Sequence, residues 1–404
     1  MKKINLKGYH PIVWTLLAGT VFARGASFMA LPFLALYLSK TEGIHPVIIG
    51  LIIGVGPLTG TLGGFIGGHL SDRFGRKVVM LASVFTWAFV FIGFAYATKP
   101  IVFLLLNALN GICRSFFEPT SQALMSDVTD KEKRLRVFSM RYTAINIGAA
   151  MGPLLGAIFG AASSTITFEI TGGFYLFYGI VLFILLNKYQ IIKGENNKKL
   201  TSVQGAFKVL INDKALLYFI LGGILVNIGY SQVESSLPQH LEKVLRDGVV
   251  LYSILLSINA ITVVILQIPL SRLVEKWKVL HVMMLGSSIF VIGFIGFSFS
   301  QDWIGFILSM VLFTIGEIFL FPSTSVFIDS IAPEAMRGTY FGAAQFRSFG
   351  NFIGPIFGGW IFKQFNGQWL FGIMAFVVTL SIFSYLLGYK KQVVRGFKDV
   401  MHEQ

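Results

Sequence analysis

The sequence predicts an all-α polytopic membrane protein with twelve transmembrane helices in two pseudo-symmetric six-helix bundles. Its 404 residues are 54% hydrophobic and only 13% charged, which is about half the charged share of soluble proteins. The apolar residues fall in twelve runs, each long enough to cross a hydrocarbon core of about 30 Å as an α-helix. Residues that recur in both halves of the chain indicate an internal duplication, which gives the two bundles.

The twelve apolar runs, numbered here as spans 1 to 12, lie in two sets of six. Span 1 follows Lys2, Lys3 and Lys7 and could belong to a signal peptide, but it is too long and has no small-residue cleavage site. We therefore expect a retained first helix. The first set covers residues 13–38, 48–70, 78–97, 101–126, 137–160 and 165–187, and the second covers residues 214–238, 249–270, 279–299, 303–328, 338–362 and 366–389.

The polar segment between the two sets divides the chain into three parts. We expect a six-helix bundle over residues 1–187, a cytoplasmic central loop over 188–213, and a six-helix bundle with a cytoplasmic tail over 214–404. Two duplicated bundles are expected to enclose a cleft near mid-bilayer, where secondary transporters bind substrate. The repeated residues are Pro119 and Pro322, Asp127 and Asp329, Arg134 and Arg337, and Gly152-Pro153 and Gly354-Pro355.

Lys and Arg residues predict the orientation, because short loops rich in them stay in the cytoplasm. Twenty-five of the 33 lie in the two tails and in the connections on one side, a count that places Arg141 in the connection after span 4. Both termini are therefore expected in the cytoplasm, and the protein in the cell membrane. The net charge of +14 is spread over these short segments, so a nucleic-acid partner is not expected.

The string GHLSDRFGRK at residues 68–77 forms the short connection between spans 2 and 3. Gly68 and Gly75 permit a close approach or a tight turn. Asp72 can cap or pair with the positive N-terminal end of a neighbouring helix. The cations of the string, which can pair with carboxylates, are Arg73, Arg76 and Lys77.

This string resembles the loop signature of the major facilitator superfamily, and the span count, the duplication and the central loop agree with that family over essentially the whole chain. The resemblance implies a transporter in which this loop acts as a cytoplasmic gate. It implies that Asp72 lies near the start of span 11 and that Arg76 pairs with Asp127 at the end of span 4. The second-half string, LSRLVEKWK at residues 270–278, has no matching aspartate, so only the first copy is expected to carry the gate.

Span 5 carries a pattern of small residues and proline, formed by Gly148, Gly152, Pro153 and Gly156. Glycines four apart let helices touch backbone to backbone, and proline removes a helical hydrogen bond. Helix packing therefore explains part of the pattern. The pattern also resembles the signature of the antiporter branch of the superfamily, which implies export.

Span 4 places four polar residues on one helical face, where we expect them to line the substrate and proton-coupling cavity: Asn107, Asn110, Arg114 and Glu118. Arg114 and Glu118 are one turn apart and could form a self-neutralised structural pair. Arg24 in span 1 lies about as deep and needs an anion, either Glu118 or a substrate group. The family often has an arginine at the position of Asn107, and Arg114 is a candidate to replace its charge.

Ionisable residues also lie in spans 7 and 10. Asn227, Tyr230 and Glu234 share a face of span 7, although Glu234 is near the outer end and could be interfacial. Glu317 lies near the middle of span 10, and no Lys or Arg lies within four positions of it in the sequence. Because burial disfavours a charged carboxylate, we expect Glu317 to carry a proton. The alternative is a protonated glutamate that only hydrogen-bonds to a neighbouring helix.

These features favour a proton-coupled antiporter that exports lipophilic or cationic small molecules by alternating access. A proton symporter that imports a sugar, peptide or metabolite, and a lipid flippase, are the alternatives. The expected partners are a small-molecule substrate, protons and the lipid bilayer, and the protein is expected to be a monomer. An enzyme is not expected because no nucleophile and base stand out, and one cysteine with dispersed histidines predicts neither a metal site nor a cofactor.

Overall fold

The structure is a computed structural model that describes residues 8–40, 46–162, 164–189, 207–208 and 211–402. Within these residues the regular structure is α-helix and short 3-10 segments, with no β-strand. The chain divides into two compact units. The first unit is Met1–Ala206 together with Ala332–Gln345, and the second unit is Phe207–Ile331 together with Phe346–Gln404.

Long helices follow one another along both halves of the chain. In the first half they are α1 (Pro11–Lys40), α2 (Pro46–Phe74), α3 (Arg76–Tyr96), α4 (Pro100–Asp127), α5 (Arg134–Ala162) and α6 (Ser164–Lys188). In the second half they are α7 (Lys214–Tyr230), α8 (Gln232–Ser235), α9 (Leu237–Val244), α10 (Gly248–Leu273), α11 (Val279–Phe299), α12 (Trp303–Ile331), α13 (Arg337–Ala343), α14 (Phe349–Gln364) and α15 (Gly367–His402).

Ten helices in the described part of the chain are long and apolar enough to cross a membrane, by length and composition. The all-α polytopic fold class predicted from the sequence is confirmed, although spans 5 and 11 are not among the ten. For span 5, only the part of α5 up to Gly152 has described side chains, and that part carries Arg134, Arg136 and Arg141. Span 11 is interrupted by the 3-10 segment Ala344–Ser348, which separates α13 from α14.

Aromatic rings fill the interior of each unit. In the first unit Tyr175 of α6 stacks on Trp87 and Phe91 of α3, with ring centroids 4.6 and 5.4 Å apart. In the second unit Phe290 of α11 stacks on Phe313 of α12 at 4.2 Å. Many leucine, isoleucine and phenylalanine side chains are nevertheless exposed. That distribution is expected where the solvent around the helices is lipid.

Asn107 of α4 compensates for a proline inside α2. Pro57 has no N–H, so the carbonyl of Ile53, four residues earlier, loses its helical donor. The side-chain amide of Asn107 donates to the carbonyl oxygens of Ile52 and Ile53, at 2.7 and 3.2 Å. In hydrocarbon an unpaired carbonyl is costly, so this contact explains a buried asparagine in span 4.

Asn110 extends the same hydrogen-bond chain to a third helix. Its amide donates to Asn107 Oδ1 at 2.9 Å, and its own oxygen accepts from Trp87 Nε1 at 2.6 Å. Asn107 and Asn110 were expected to line a cavity on the face of Arg114 and Glu118. The structure instead uses both amides to connect α2, α3 and α4.

In the second unit a glutamine donates to a carbonyl group that a proline leaves without its helical donor. Pro322 of α12 leaves the carbonyl of Ile318 without its helical donor. Gln267 Nε2 of α10 donates to that carbonyl at 3.2 Å and to Ser271 Oγ at 3.1 Å. Both units therefore satisfy a proline-freed carbonyl with an amide side chain from the adjacent helix.

We expect Asn107→Leu to destabilise the protein by about 1 kcal/mol, the scale of interhelical hydrogen bonds in membranes. In a Pro57→Ala background the helix supplies its own N–H to Ile53, so the same substitution should cost less. The midpoints of thermal unfolding in detergent for the four proteins of this cycle measure the difference. Equal costs of Asn107→Leu in both backgrounds would contradict the compensation.

Candidate functional site

Three arginines surround one glutamate inside the first unit. Glu118 and Arg114 lie one turn apart on α4, Arg24 comes from α1 and Arg141 from α5. Arg24 Nη2 lies 2.5 Å and Arg114 Nε 3.1 Å from Glu118 Oε1. Arg141 Nη2 lies 3.6 Å from Glu118 Oε2. The carboxylate therefore joins three helices of the unit.

The arginine cluster, formed by Arg24, Arg114, Arg141 and Glu118, is not electrically balanced. Three guanidinium groups face one carboxylate, which leaves two positive charges in excess. The side chains of Arg24 and Arg141 are only 15% and 12% exposed, whereas that of Arg114 is 49% exposed. Arg114 and Glu118 do form the pair that their spacing allowed. The pair is not self-contained, because Glu118 also pairs with Arg24 and Arg141.

Arg141 is the member of the cluster that was not predicted from the sequence. The charge count assigned it to a cytoplasmic connection, but α5 begins at Arg134 and carries Arg141 two turns into the helix. A signal was present in the sequence, because residue 141 lies inside the range predicted for span 5.

A small cavity adjoins the arginine cluster. Its walls combine charge, hydroxyl groups and aromatic rings, and Glu118 is the one carboxylate among its lining residues. The lining consists of the four residues of the cluster, Thr20, Ser27 and Ser121, the rings of Trp87 and Phe117, and Ala23.

A second buried carboxyl group lies in the second unit. Glu317, near the middle of α12, is fully buried. Its Oε1 accepts a hydrogen bond from the Tyr230 hydroxyl of α7 at 3.1 Å, and its Oε2 accepts one from Asn259 Nδ2 of α10 at 2.7 Å. Asn259 Nδ2 also donates to Thr314 Oγ1 at 2.9 Å. Asn259 and Thr314 were missed from the sequence, although Thr314 lies one turn before Glu317.

Of the three residues expected on one face of span 7, Tyr230 is the one with a described hydrogen bond to Glu317. Its ring stacks on Phe313 at a centroid distance of 5.9 Å. Asn227 instead donates to the carbonyl of Gly223 in its own helix, at 2.7 Å. Glu234 lies beyond the end of α7, on the one-turn helix α8, and is exposed.

Asp72, near the end of α2, lies against the N-terminus of α13. Its Oδ1 accepts from the backbone N–H of Gly338 at 2.9 Å, and its Oδ2 accepts from the N–H and the hydroxyl of Thr339, both at 2.6 Å. The carboxylate thus satisfies N–H groups that have no helical partner, and its charge meets the positive end of α13. Asp72 lies where the family resemblance implied, near the start of span 11.

Arg76 links Asp72 to the end of α4. Its Nη1 donates to Asp72 and, at 2.7 Å, to Ser71 Oγ, and its Nε lies 3.1 Å from Asp127 Oδ2. Arg337, the first residue of α13, donates to Asp127 Oδ1 at 2.8 Å. Glu334 also pairs with Arg337, at 3.4 Å. This network of arginines and carboxylates holds α13 against α2 and α4.

The other two cations of the loop string do not pair with carboxylates as expected. Arg73 is exposed and lies over the ring of Phe74, 5.3 Å from its centroid. Lys77 donates to the side-chain oxygen of Asn187. Gly75, between α2 and α3, has a φ of 90°, a conformation that favours glycine and explains the tight turn.

Helices α2 and α13 touch through matched glycines. A Cβ on Gly68 would overlap the carbonyl oxygen of Gly338, and one on Gly342 would overlap that of Gly64. Small residues four apart on both helices allow this contact. Of these four glycines only Gly68 was predicted, although the four-residue spacing in both strings was the signal for the other three.

The glycines of α5 pack against α1. A Cβ on Gly148 would overlap the backbone of Val21 and Gly25, and one on Gly152 would overlap the carbonyl oxygen of Gly25. Side-chain contacts of Pro153 and Gly156 lie outside the described residues. In the described residues there is also no group of three or more His, Cys, Asp or Glu side chains that could hold a metal ion.

We expect Glu118→Gln to destabilise the protein strongly, by roughly 3–5 kcal/mol, because it leaves three arginines without their carboxylate. Arg114→Ala should cost about 1 kcal/mol or less, since Arg114 is half exposed and Glu118 keeps two partners. Unfolding midpoints in detergent measure both. A second variant, Glu118→Gln with Arg24→Gln, should recover part of the loss. If Arg114→Ala proves as damaging as Glu118→Gln, the three-arginine arrangement is contradicted.

Comparisons with known proteins point to one family. The family model described as Major Facilitator Superfamily matches residues 16–348. The Uncharacterized MFS-type transporter YqjV of Bacillus subtilis (strain 168) is 38% identical, over 97% of this chain and 97% of its own. A Na(+), Li(+), K(+)/H(+) antiporter of Planococcus maritimus is 26% identical over 95% of this chain and 97% of its own.

Solved structures show the same fold. The human organic anion transporter MFSD10 (TETRAN) shares 16% sequence identity and a TM-score of 0.73, over 93% of this chain and 98% of that one. The relatives are transporters and not enzymes. With its helical fold, its loop network and the family match over residues 16–348, this multi-pass membrane protein belongs to the major facilitator superfamily of transporters.

Proposed function

We propose that the protein is a proton-coupled antiporter that exports a small molecule across the cell membrane by alternating access. The observation that carries this proposal is Glu317, a fully buried carboxyl group that two other helices of its unit hold with hydrogen bonds. The 26% identity to a protein named as a cation/proton antiporter and the glycine pattern of α5 support the exchange mode.

The hydrogen bonds of Glu317 offer one defined place for a proton. Asn259 Nδ2 can only donate, so it keeps Oε2 of Glu317 as an acceptor. The Tyr230 hydroxyl facing Oε1 can both donate and accept. A proton on Oε1 can therefore be donated to the Tyr230 oxygen if that hydrogen bond reverses its direction. Proton uptake and release can occur with little movement of the three side chains.

The network of Asp72, Arg76, Asp127 and Arg337 supplies the conformational control in this proposal. It fixes α13, while the chain beyond Gln345 belongs to the second unit. We infer that forming and breaking this network changes the relative stability of two transport states.

The distribution of Lys and Arg supports cytoplasmic termini in this proposal. After Arg141 is removed from the count, 24 of the 33 Lys and Arg residues remain on the side of the termini, and such residues are enriched in cytoplasmic loops.

Asp72→Asn should slow transport by about tenfold with little change in substrate affinity, because it removes the charge that holds α13 and does not touch the cavity. Asp130→Asn is the matched control, since Asp130 pairs with Lys133 at the surface. Binding and transport are measured separately in proteoliposomes. Normal transport together with weakened binding would reject the gating role.

Glu317→Gln should abolish substrate accumulation driven by a pH gradient while substrate binding persists, because glutamine mimics the protonated acid and cannot release a proton. Substrate binding to the Glu317→Gln variant should also become less dependent on pH. Glu169→Gln, the same change at an exposed site of α6, is the control. The assay follows solute uptake into proteoliposomes under an imposed pH gradient, for a panel of solutes. Concentrative transport by Glu317→Gln at the normal rate would assign the proton to another acid.

Proton symport is the second candidate, and the positive excess of the arginine cluster favours it for an anionic metabolite. The two functions differ in the sign of one measurement. A symporter accumulates solute in proteoliposomes whose exterior is more acidic than the interior, whereas an antiporter accumulates it under the opposite gradient.

A further inference from the structure

We propose that the cavity of the first unit binds the carboxylate of an amphipathic organic anion, and that this group belongs to the transported molecule. The claim that this group belongs to the transported molecule rests on the proposed transport function. The claim that the cavity binds a carboxylate does not. The cationic substrates expected from the sequence do not suit this cavity, because a cation would enter against the two excess positive charges.

The excess charge cannot be removed within the described cluster. Arginine keeps its proton in proteins, so Arg24, Arg114 and Arg141 stay charged. Glu118 is the one carboxylate among the residues that line the cavity, and its Oε1 already accepts from two arginines. Uncompensated charge inside a membrane protein is costly and is retained where it binds a partner. An anion in the cavity supplies that partner.

Of the three arginines, Arg141 is best placed to bind the anion. Its Nη2 lies 3.6 Å from Glu118, which is longer than a hydrogen bond. Its Nε is buried and has no hydrogen-bond partner among the described residues. The Arg141 guanidinium group therefore has an N–H donor available for a ligand, and its planar geometry matches that of a carboxylate.

The cavity walls indicate what is attached to the carboxylate. The hydroxyl of Ser121, buried and without a partner among the described residues, lines the same cavity and adds a donor. The rings of Trp87 and Phe117 form apolar walls. Apolar rings beside a cationic group suit an apolar ring or short chain that carries one acidic group.

The test uses three probes that share one aromatic frame: 2-naphthoate, 2-naphthamide and 2-naphthylmethylammonium. Calorimetry on the purified full-length protein measures their binding in detergent without a pH gradient. We expect 2-naphthoate to bind at least about tenfold more tightly than either of the others, a difference typical of losing one charge-assisted contact. No preference for the carboxylate, or a preference for the ammonium probe, would overturn the proposal.

Variants then locate the site. Arg141→Gln should weaken 2-naphthoate binding about tenfold, Arg141→Lys should weaken it less, and Ser121→Ala should weaken it slightly. Arg272→Gln, at an exposed position of α10, should leave affinity unchanged. Unfolding midpoints verify that each variant is folded. If Arg141→Gln binds 2-naphthoate like the unmodified protein, the assignment is wrong.

This experiment separates the anion site from proton coupling. Glu317→Gln should bind 2-naphthoate normally even though it loses pH-driven transport, because Glu317 lies in the other unit. Normal pH-driven transport of other solutes with no carboxylate preference would reject the anion site alone. Carboxylate binding that depends on Arg141, without any pH-driven transport, would reject the proposed antiport alone.

Discussion

In hydrocarbon a polar group finds its partner within the protein or has none, and this constraint explains most of the polar contacts inside the helices. The carbonyl freed by Pro57 takes a donor from Asn107, and the one freed by Pro322 takes a donor from Gln267. The first N–H groups of α13 donate to the carboxylate of Asp72. These contacts hold helices together because neither partner has water as an alternative.

The same constraint separates the two buried acids into different roles. Glu118 is held as a carboxylate by guanidinium groups on three helices, so it acts as a fixed anchor for α1, α4 and α5. Glu317 receives its described hydrogen bonds from neutral groups, one of which can reverse direction. The first arrangement is suited to binding charge, and the second to exchanging a proton. The proposed function assigns these two tasks to separate units of the chain.

The helices and the loop string could be predicted from the sequence because both signals are local. Long apolar runs leave no alternative to helices, and the spacing of Gly68, Asp72 and Gly75 marks the turn. The pairing of Arg141 with Glu118 and of Asn259 with Glu317 could not be predicted, since it depends on which helix faces are adjacent. The break in span 11 was missed because hydropathy is insensitive to whether an apolar segment is one helix or two.

Infrared difference spectroscopy between acidic and alkaline pH tests the division of roles most directly, because a protonated carboxyl group absorbs separately from a carboxylate. The membrane-embedded protein should show a protonated-carboxyl band that disappears as pH rises. We predict that this band is lost in Glu317→Gln and kept in Glu118→Gln. A band that survives in Glu317→Gln and disappears in Glu118→Gln would show that the proton resides in the arginine cluster, and would contradict the account.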